Sequence, residues 1–137
     1  DFKEAIRLHQ ELTGDALRFL RPPWGISSPF VNNYIRKYQM RKILWDVMAE
    51  DWKAGTTSSL ISAKLKDRIF DGAVICLHDA GEDTGGAKGA PLRTIDALIH
   101  TIPWIKAQGY QFISMDEYIK GVEFHVIQQR KKGLLWP

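Results

Sequence analysis

The run Ala73-Val74-Ile75-Cys76-Leu77 constrains the fold more than any other stretch. All of it is apolar, with Asp71-Gly72 before it and His78-Asp79 after it. A strand with one wet face alternates apolar and polar residues. An unbroken run is a strand covered on both faces, which is the habit of parallel sheets flanked by helices. The rest of the chain must then supply covering helices and partner strands. Residues 1–12 read as a helix with Phe2, Ile6, Leu8 and Leu12 along one side, ended by Thr13-Gly14-Asp15. Residues 17–20 read as a strand. Ser27-Ser28-Pro29 opens a helix to residue 38, with a hydroxyl cap and proline at the first helical position. Residues 41–47 read as an apolar strand carrying Trp45, and Thr57 or Ser58 caps a helix through Leu60, Ile61, Leu65 and Ile69. After the 73–77 strand, Pro91 opens a long helix through Ile95, Leu98, Ile99, Ile102 and Ile105, kinked at Pro103 and closed at Gly109. Residues 110–114 read as a strand, 115–120 as a short helix, and 122–127 as a further strand or a connection. Helices and strands alternate, which predicts an α/β fold of parallel strands with helical crossovers, as an open sheet or an arc of a barrel.

The 137 residues suit one domain or part of one. A composition of 45% hydrophobic and 26% charged residues excludes a disordered chain. No apolar run approaches the ~20 residues of a membrane span. Net charge is +3 and dispersed, with its densest run at Arg130-Lys131-Lys132, so a solvated face is expected there and no nucleic-acid partner. The single Cys76 lies in the apolar strand, where a buried thiol is expected, and no internal disulfide can form. The first residue is Asp1, not methionine, and a helical pattern is already under way there. The chain reads as part of a longer one, with residues 121–137 as a tail, a barrel closure or a lead into another domain.

In parallel α/β sheets ligands bind at the carboxyl ends of the strands. The first strand ends in Arg21-Pro22-Pro23-Trp24-Gly25, where two prolines fix the backbone and a glycine frees it. The second leads to Asp51-Trp52, the third to His78-Asp79, and the fourth to Ser114 and Asp116. An arginine, an aspartate and a histidine expected at one rim, with two tryptophans to stack on a ring, suit a polar substrate with a sugar-like face. The plain alternatives are a rigid turn with Arg21 in a surface ion pair, a turn with a core tryptophan at Asp51-Trp52, and a structural His78.

Several other chemistries lack their residues. The stretch Gly81-Glu82-Asp83-Thr84-Gly85-Gly86-Ala87-Lys88-Gly89-Ala90 sits between a strand and a helix, as a phosphate loop does. It has neither the Gly-Lys-Ser/Thr ending nor Gly-x-Gly-x-x-Gly spacing, and Glu82 and Asp83 would repel phosphate, so a mobile surface loop is expected. There is no Gly-x-Ser-x-Gly elbow, and no His-x-x-x-His or Cys-x-x-Cys metal pair.

Together the rim segments resemble the polysaccharide deacetylase family, the NodB-type carbohydrate esterases of family 4. Arg21-Pro22-Pro23-Trp24-Gly25 is similar to the family's third motif, Arg-x-Pro-Tyr/Trp-Gly. Trp45-Asp46 through Asp51-Trp52 is similar to the fourth, and Leu77-His78-Asp79 to the fifth, Leu-His-Asp. Gly109-Tyr110-Gln111-Phe112 fits the family's helix-Gly-Tyr-strand ending, so the resemblance covers about residues 1–120. It implies the C-terminal portion of a distorted (β/α) barrel with parallel strands. It also implies hydrolytic removal of N-acetyl groups from N-acetylglucosamine-containing polysaccharide, chitin oligomers or peptidoglycan, outside the bacterial cytoplasm. By the resemblance, a divalent metal, often zinc, activates the attacking water. Arg21 would orient the carboxylate that acts as base. The Trp24 backbone N–H, in the loop held by Pro23 and Gly25, would help bind the oxyanion. His78 would protonate the leaving amine, Asp51 would pair with it and favour the imidazolium, and Trp52 and Leu77 would wall the acetyl pocket.

Two family motifs are absent. Thr-Phe-Asp-Asp-Gly supplies the base and one metal ligand, and His-Ser/Thr-x-x-His supplies the other two ligands. Met48 also stands where the fourth motif often has an acidic residue. This chain should hold the acid half of a site, with no metal ligands of its own. The leading expectation is the C-terminal part of an active deacetylase, inactive and poorly stable without its N-terminal half. The alternative is a non-catalytic glycan-binding module.

Overall fold

Phe2–Thr13 forms the first helix, α1, and its end follows from the chain's own chemistry. Gly14 takes φ 75° and returns its N–H to Gln10 O at 2.9 Å, the left-handed stop expected of it. Arg7 pairs with Glu4 and Glu11 on the wet side at 2.6 and 2.5 Å. The structure, a computed structural model, describes residues 2–81 and 86–131, with side chains through Glu123. The chain forms two compact units, Asp1–Asp46 and Val47–Pro137.

In the first unit, β1 (Phe19–Leu20) pairs in parallel with β2 (Arg41–Lys42), Phe19 opposite Arg41 and Leu20 opposite Lys42. Between them runs α2 (Pro29–Lys37), with Pro29 in its first turn and the Ser28 hydroxyl accepting the Val31 N–H at 3.4 Å. Phe2 of α1 stacks on Tyr34 at 5.0 Å and Tyr34 on Tyr38 at 6.1 Å, which joins α1 to one face of α2. Phe30 of α2 lies 77% exposed.

In the second unit, β3 (Val47–Met48) pairs in parallel with β4 (Ile75–Cys76), Val47 opposite Ile75 and Met48 opposite Cys76. α3 (Ser58–Arg68) starts at Thr57, whose hydroxyl accepts the Leu60 N–H at 3.2 Å. α3 buries Ile61 and Leu65 against Val47, Ala49 and Ala97, with Ala73, Ile75, Leu77 and Leu98 around them. Cys76 is a buried thiol outside any disulfide, as expected. α4 (Ala90–Ala107) has Pro91 in its first turn and runs through Pro103 as one helix. No helix among the described residues is long and apolar enough to cross a membrane.

Four expectations fail. The predicted 41–47 strand is two short pieces, because β2 bonds β1 and β3 bonds β4. Between them Trp45 has left the ladder to pack on Gly25, with its Cη2 3.1 Å from where a Cβ would stand. Residues 110–114 form no strand, and Phe112 and Ile113 are 53% and 55% exposed. The 115–120 helix instead extends as α5 (Met115–Lys131), which takes in the 122–127 stretch predicted as a strand or connection. Its start is a capping box: the Glu117 carboxylate accepts the Ser114 N–H and hydroxyl at 2.8 and 2.9 Å, and Ser114 Oγ accepts the Glu117 N–H at 3.2 Å. Finally, α4 buries Ala90, Thr94, Ala97, Thr101 and Ile105, so of its predicted apolar stripe only Ile105 is fully inside. Small and hydroxyl side chains win that face because they let α4 lie close to α3, where Thr101 donates to Ser62 Oγ at 2.8 Å. Ile95 and Ile99 are left 55% and 61% exposed.

Candidate active site

The site in the second unit is built outward from Asp51. β3 carries the chain into the core at Ala49, Glu50 turns it with φ 50°, and Asp51 follows with no exposed surface. A buried carboxylate is costly unless hydrogen-bonded. Asp51 Oδ2 accepts the His78 backbone N–H at 2.8 Å and the Thr94 hydroxyl at 3.0 Å, and Oδ1 faces His78 Nδ1 at 2.9 Å. A carboxylate only accepts, so Nδ1 carries the proton and Nε2 is the nitrogen turned away. The His78 side chain is 40% exposed while Asp51 is closed off. An imidazole backed by a buried carboxylate and open on its other side can deliver or receive a proton at Nε2.

Trp52 sets its ring edgewise to that imidazole, centroids 4.8 Å apart at 61°. Its own carbonyl accepts the Ala87 N–H at 2.8 Å, which ties the far end of the glycine-rich loop to the site. The ends of that loop nearly touch. A Cβ on Gly86 would lie 2.9 Å from Ala80 O, so the approach tolerates no side chain there. Glu82 and Asp83, and with them the expected mobility of the loop, lie outside the described residues. Leu77 is half-buried and packs on the core cluster, so it backs the site from inside. Asp79 is exposed.

Arg21, Pro23, Trp24 and Gly25 lie together in the first unit, in the loop from β1 to α2. The expected rigid turn is there, as a single 3₁₀ turn over Pro23–Gly25. Gly25 N–H bonds Pro22 O at 3.0 Å and Ile26 N–H bonds Pro23 O at 3.1 Å. Pro22 is buried, while Trp24 is held at φ 53° with 89% of its surface exposed. The Arg21 guanidinium donates to Leu44 O at 3.4 Å and lies 6.0 Å from the Trp45 ring centroid. These contacts set the guanidinium against a carbonyl and an aromatic face.

Thr94 belongs to this site and sequence reading missed it. Its signal was the spacing Ala90, Thr94, Ala97, Thr101, a second helical face of small residues beside the apolar one. Among the described residues no group of three or more His, Cys, Asp or Glu side chains could hold a metal ion.

No family model matches the chain. The peptidoglycan-N-acetylglucosamine deacetylase PgdA of Listeria monocytogenes is 30% identical over 98 residues, 72% of this chain and 18% of that protein. Among solved structures, the peptidoglycan N-acetylglucosamine deacetylase Bc1960 superposes with a TM-score of 0.73 and 25% identity, over 85% of this chain and 51% of that one. A family 4 acetyl xylan esterase of Clostridium thermocellum, solved with a cobalt ion, gives 0.70 and 26%, over 86% of this chain and 52% of that one. Over most of its length the chain is similar to members of carbohydrate esterase family 4. It spans about half of these two family 4 structures, and its fold is the parallel α/β one expected of the C-terminal part of the family's (β/α) barrel. A further family 4 structure is a mutant of the pseudoenzyme BA3943 with restored activity, at TM-score 0.69 and 25% identity, over 85% of this chain and 38% of that one.

Proposed function

We propose that the protein carrying this chain removes N-acetyl groups from N-acetylglucosamine-containing polysaccharide, with His78 as the general acid. The observation that carries this reading is the pair itself, a fully buried Asp51 facing Nδ1 of a half-exposed His78 at 2.9 Å. As the tetrahedral intermediate collapses, the C–N bond breaks, its electron pair stays on nitrogen, and Nε2–H of the imidazolium supplies the proton. The products are acetate and a free amine. Asp51 does not exchange that proton; it holds the ring's tautomer and direction and balances the imidazolium charge. Trp52 and Leu77 wall the side on which the acetyl group would sit. The roles of Arg21 as orienter of the base, and of the Trp24 N–H as oxyanion donor in a loop shaped by Pro23 and Gly25, rest on their motif.

The divalent metal that the family implies does not fit the residues described here, so no step is routed through it. Its ligands and the base would come from other polypeptide, the N-terminal half of the same domain. The relatives named as peptidoglycan deacetylases favour a bacterial wall polymer, and with it an extracytoplasmic location.

The test is acetate release from N-acetylchitooligosaccharide and from peptidoglycan by the intact natural protein with zinc or cobalt ions. His78→Ala should lower kcat by about 10²–10⁴-fold, the usual weight of a positioned acid. The urea midpoint should fall but the protein should stay folded, because alanine keeps the backbone N–H that Asp51 accepts and removes only the ring donor. A second reading, a glycan-binding module without chemistry, is favoured by the similarity to a family 4 pseudoenzyme and by the want of a metal cluster among the described residues. Saturable glycan binding with no acetate release in either metal would replace the first reading by the second.

A further inference from the structure

We propose that Glu50, gripped by Lys64 and Arg68 of α3, is a positioning residue that sets the seat of Asp51 and through it the direction of His78 Nε2. The proposal rests on the reading of His78 as general acid. Glu50 is the residue between buried Ala49 and buried Asp51, and it stands at φ 50°, a left-handed conformation uncommon for a residue with a Cβ. Such a backbone persists only where its surroundings over-determine it. Here they do. Lys64 Nζ donates to Glu50 Oε2 at 2.5 Å and to Ala49 O at 3.3 Å. Arg68, one turn along the same helix, donates from Nη1 to Met48 O and to Glu50 Oε1 at 3.0 Å. Each cation thus grips one backbone carbonyl and one oxygen of the same carboxylate.

On the other side, Glu50 O accepts the Lys53 N–H at 3.1 Å and the Thr56 hydroxyl at 3.2 Å. The helix that carries both cations is fixed in turn by Ile61 and Leu65, the buried side chains of its inner face. The segment that delivers Asp51 is therefore tied to the core through side chains that do not touch His78. The two cations also hold the Glu50 carboxyl below the usual carboxylate range, with the Lys64 hydrogen bond as the largest cause. Without the clamp, Asp51 would keep its own three hydrogen-bonding contacts but lose the fixed backbone from which they are aimed.

The test uses the intact natural protein with Glu50→Gln, which keeps the shape and loses the charge, and Glu50→Gly, which suits the left-handed backbone and loses the carboxylate. A Lys64→Met/Arg68→Met double variant removes the other half. Two readouts are taken: kcat and KM for acetate release from N-acetylchitooligosaccharide, and the ¹⁵N spectrum of the His78 ring. Expected is a fall in kcat of about tenfold with KM nearly unchanged, smaller than the ~100-fold cost of an ångström-scale misplacement. The ring should pass from one Nδ1-protonated form to a tautomer mixture. Glu50→Asp should recover part of both. If all three variants keep the wild-type kcat and ring spectrum, whatever their stability, the clamp serves folding alone and the proposal is overturned. If the wild type releases no acetate, the general-acid reading fails separately, and the ring spectrum still decides for or against the clamp.

Discussion

Replacing Thr94 by valine removes one oxygen and almost no volume, so its effect isolates a single bond. The Thr94 hydroxyl has one proton and two acceptors in reach, Asp51 Oδ2 at 3.0 Å and Ala90 O at 3.2 Å. The charged acceptor is the stronger, and hydrogen bonds to charged groups contribute about 1.5–3 kcal/mol. Sharing with Ala90 O places this one near the lower end. Valine also leaves Asp51 buried with one donor fewer, and no water takes that place in a site with no exposed carboxylate surface. The expected loss is then about 2 kcal/mol in ΔG of unfolding, read from urea melts of the intact protein. A double-mutant cycle with Asp51→Asn sharpens the reading. If the bond is the cause, the two substitutions couple by about 1–2 kcal/mol. A Thr94→Val protein within about 0.5 kcal/mol of wild type, with no coupling to position 51, would refute the reasoning.

Two further outcomes follow from other parts of the chain. Gly25→Ala forces a Cβ into a backbone at φ 73° and to within 3.1 Å of the Trp45 ring, so unfolding free energy should drop by about 1–2 kcal/mol in urea melts. Glu50 should give stability an acid limb: its carboxyl sits below the ordinary 4.5, so its contribution is complete above that value and vanishes as pH falls through the lower folded value. Partial solvent screening keeps the effect near 1 kcal/mol, and the gap between wild type and Glu50→Gln seen in melts at pH 7 should narrow as pH falls below 4.5.

The helical parts of this fold were legible because their punctuation is local. Ser28-Pro29, Thr57 and Gly14 act through bonds within a few residues, so a reader of sequence can place them. The strand pieces were not, because their length depends on partners elsewhere. Nothing in residues 41–47 says that pairing stops while Trp45 turns to Gly25. Residues 110–114 carry strand-forming side chains but form no ladder, and the Ser114–Glu117 capping box was the better signal there. At the site, motif spacing picked out Asp51, Trp52 and His78, and the structure brings those three side chains together. It could not pick out Thr94, whose role depends on which face of α4 turns inward. The isoleucines outweigh that face in any count of apolarity, yet close helix packing selects the smaller residues.

The bond from the His78 backbone N–H to Asp51 bears on how such a protein can change its trade. Any amino acid except proline at position 78 still offers that N–H, so the stitch between the two strand ends survives replacement of the imidazole. Position 51 has no such freedom, since its carboxylate is shared by backbone, ring and hydroxyl. With His78 as the proposed general acid, one substitution at 78 would end the chemistry and cost Asp51 one donor but keep the backbone stitch, while a change at 51 would forfeit both. Sister genes that have left catalysis should differ at the first position long before they differ at the second.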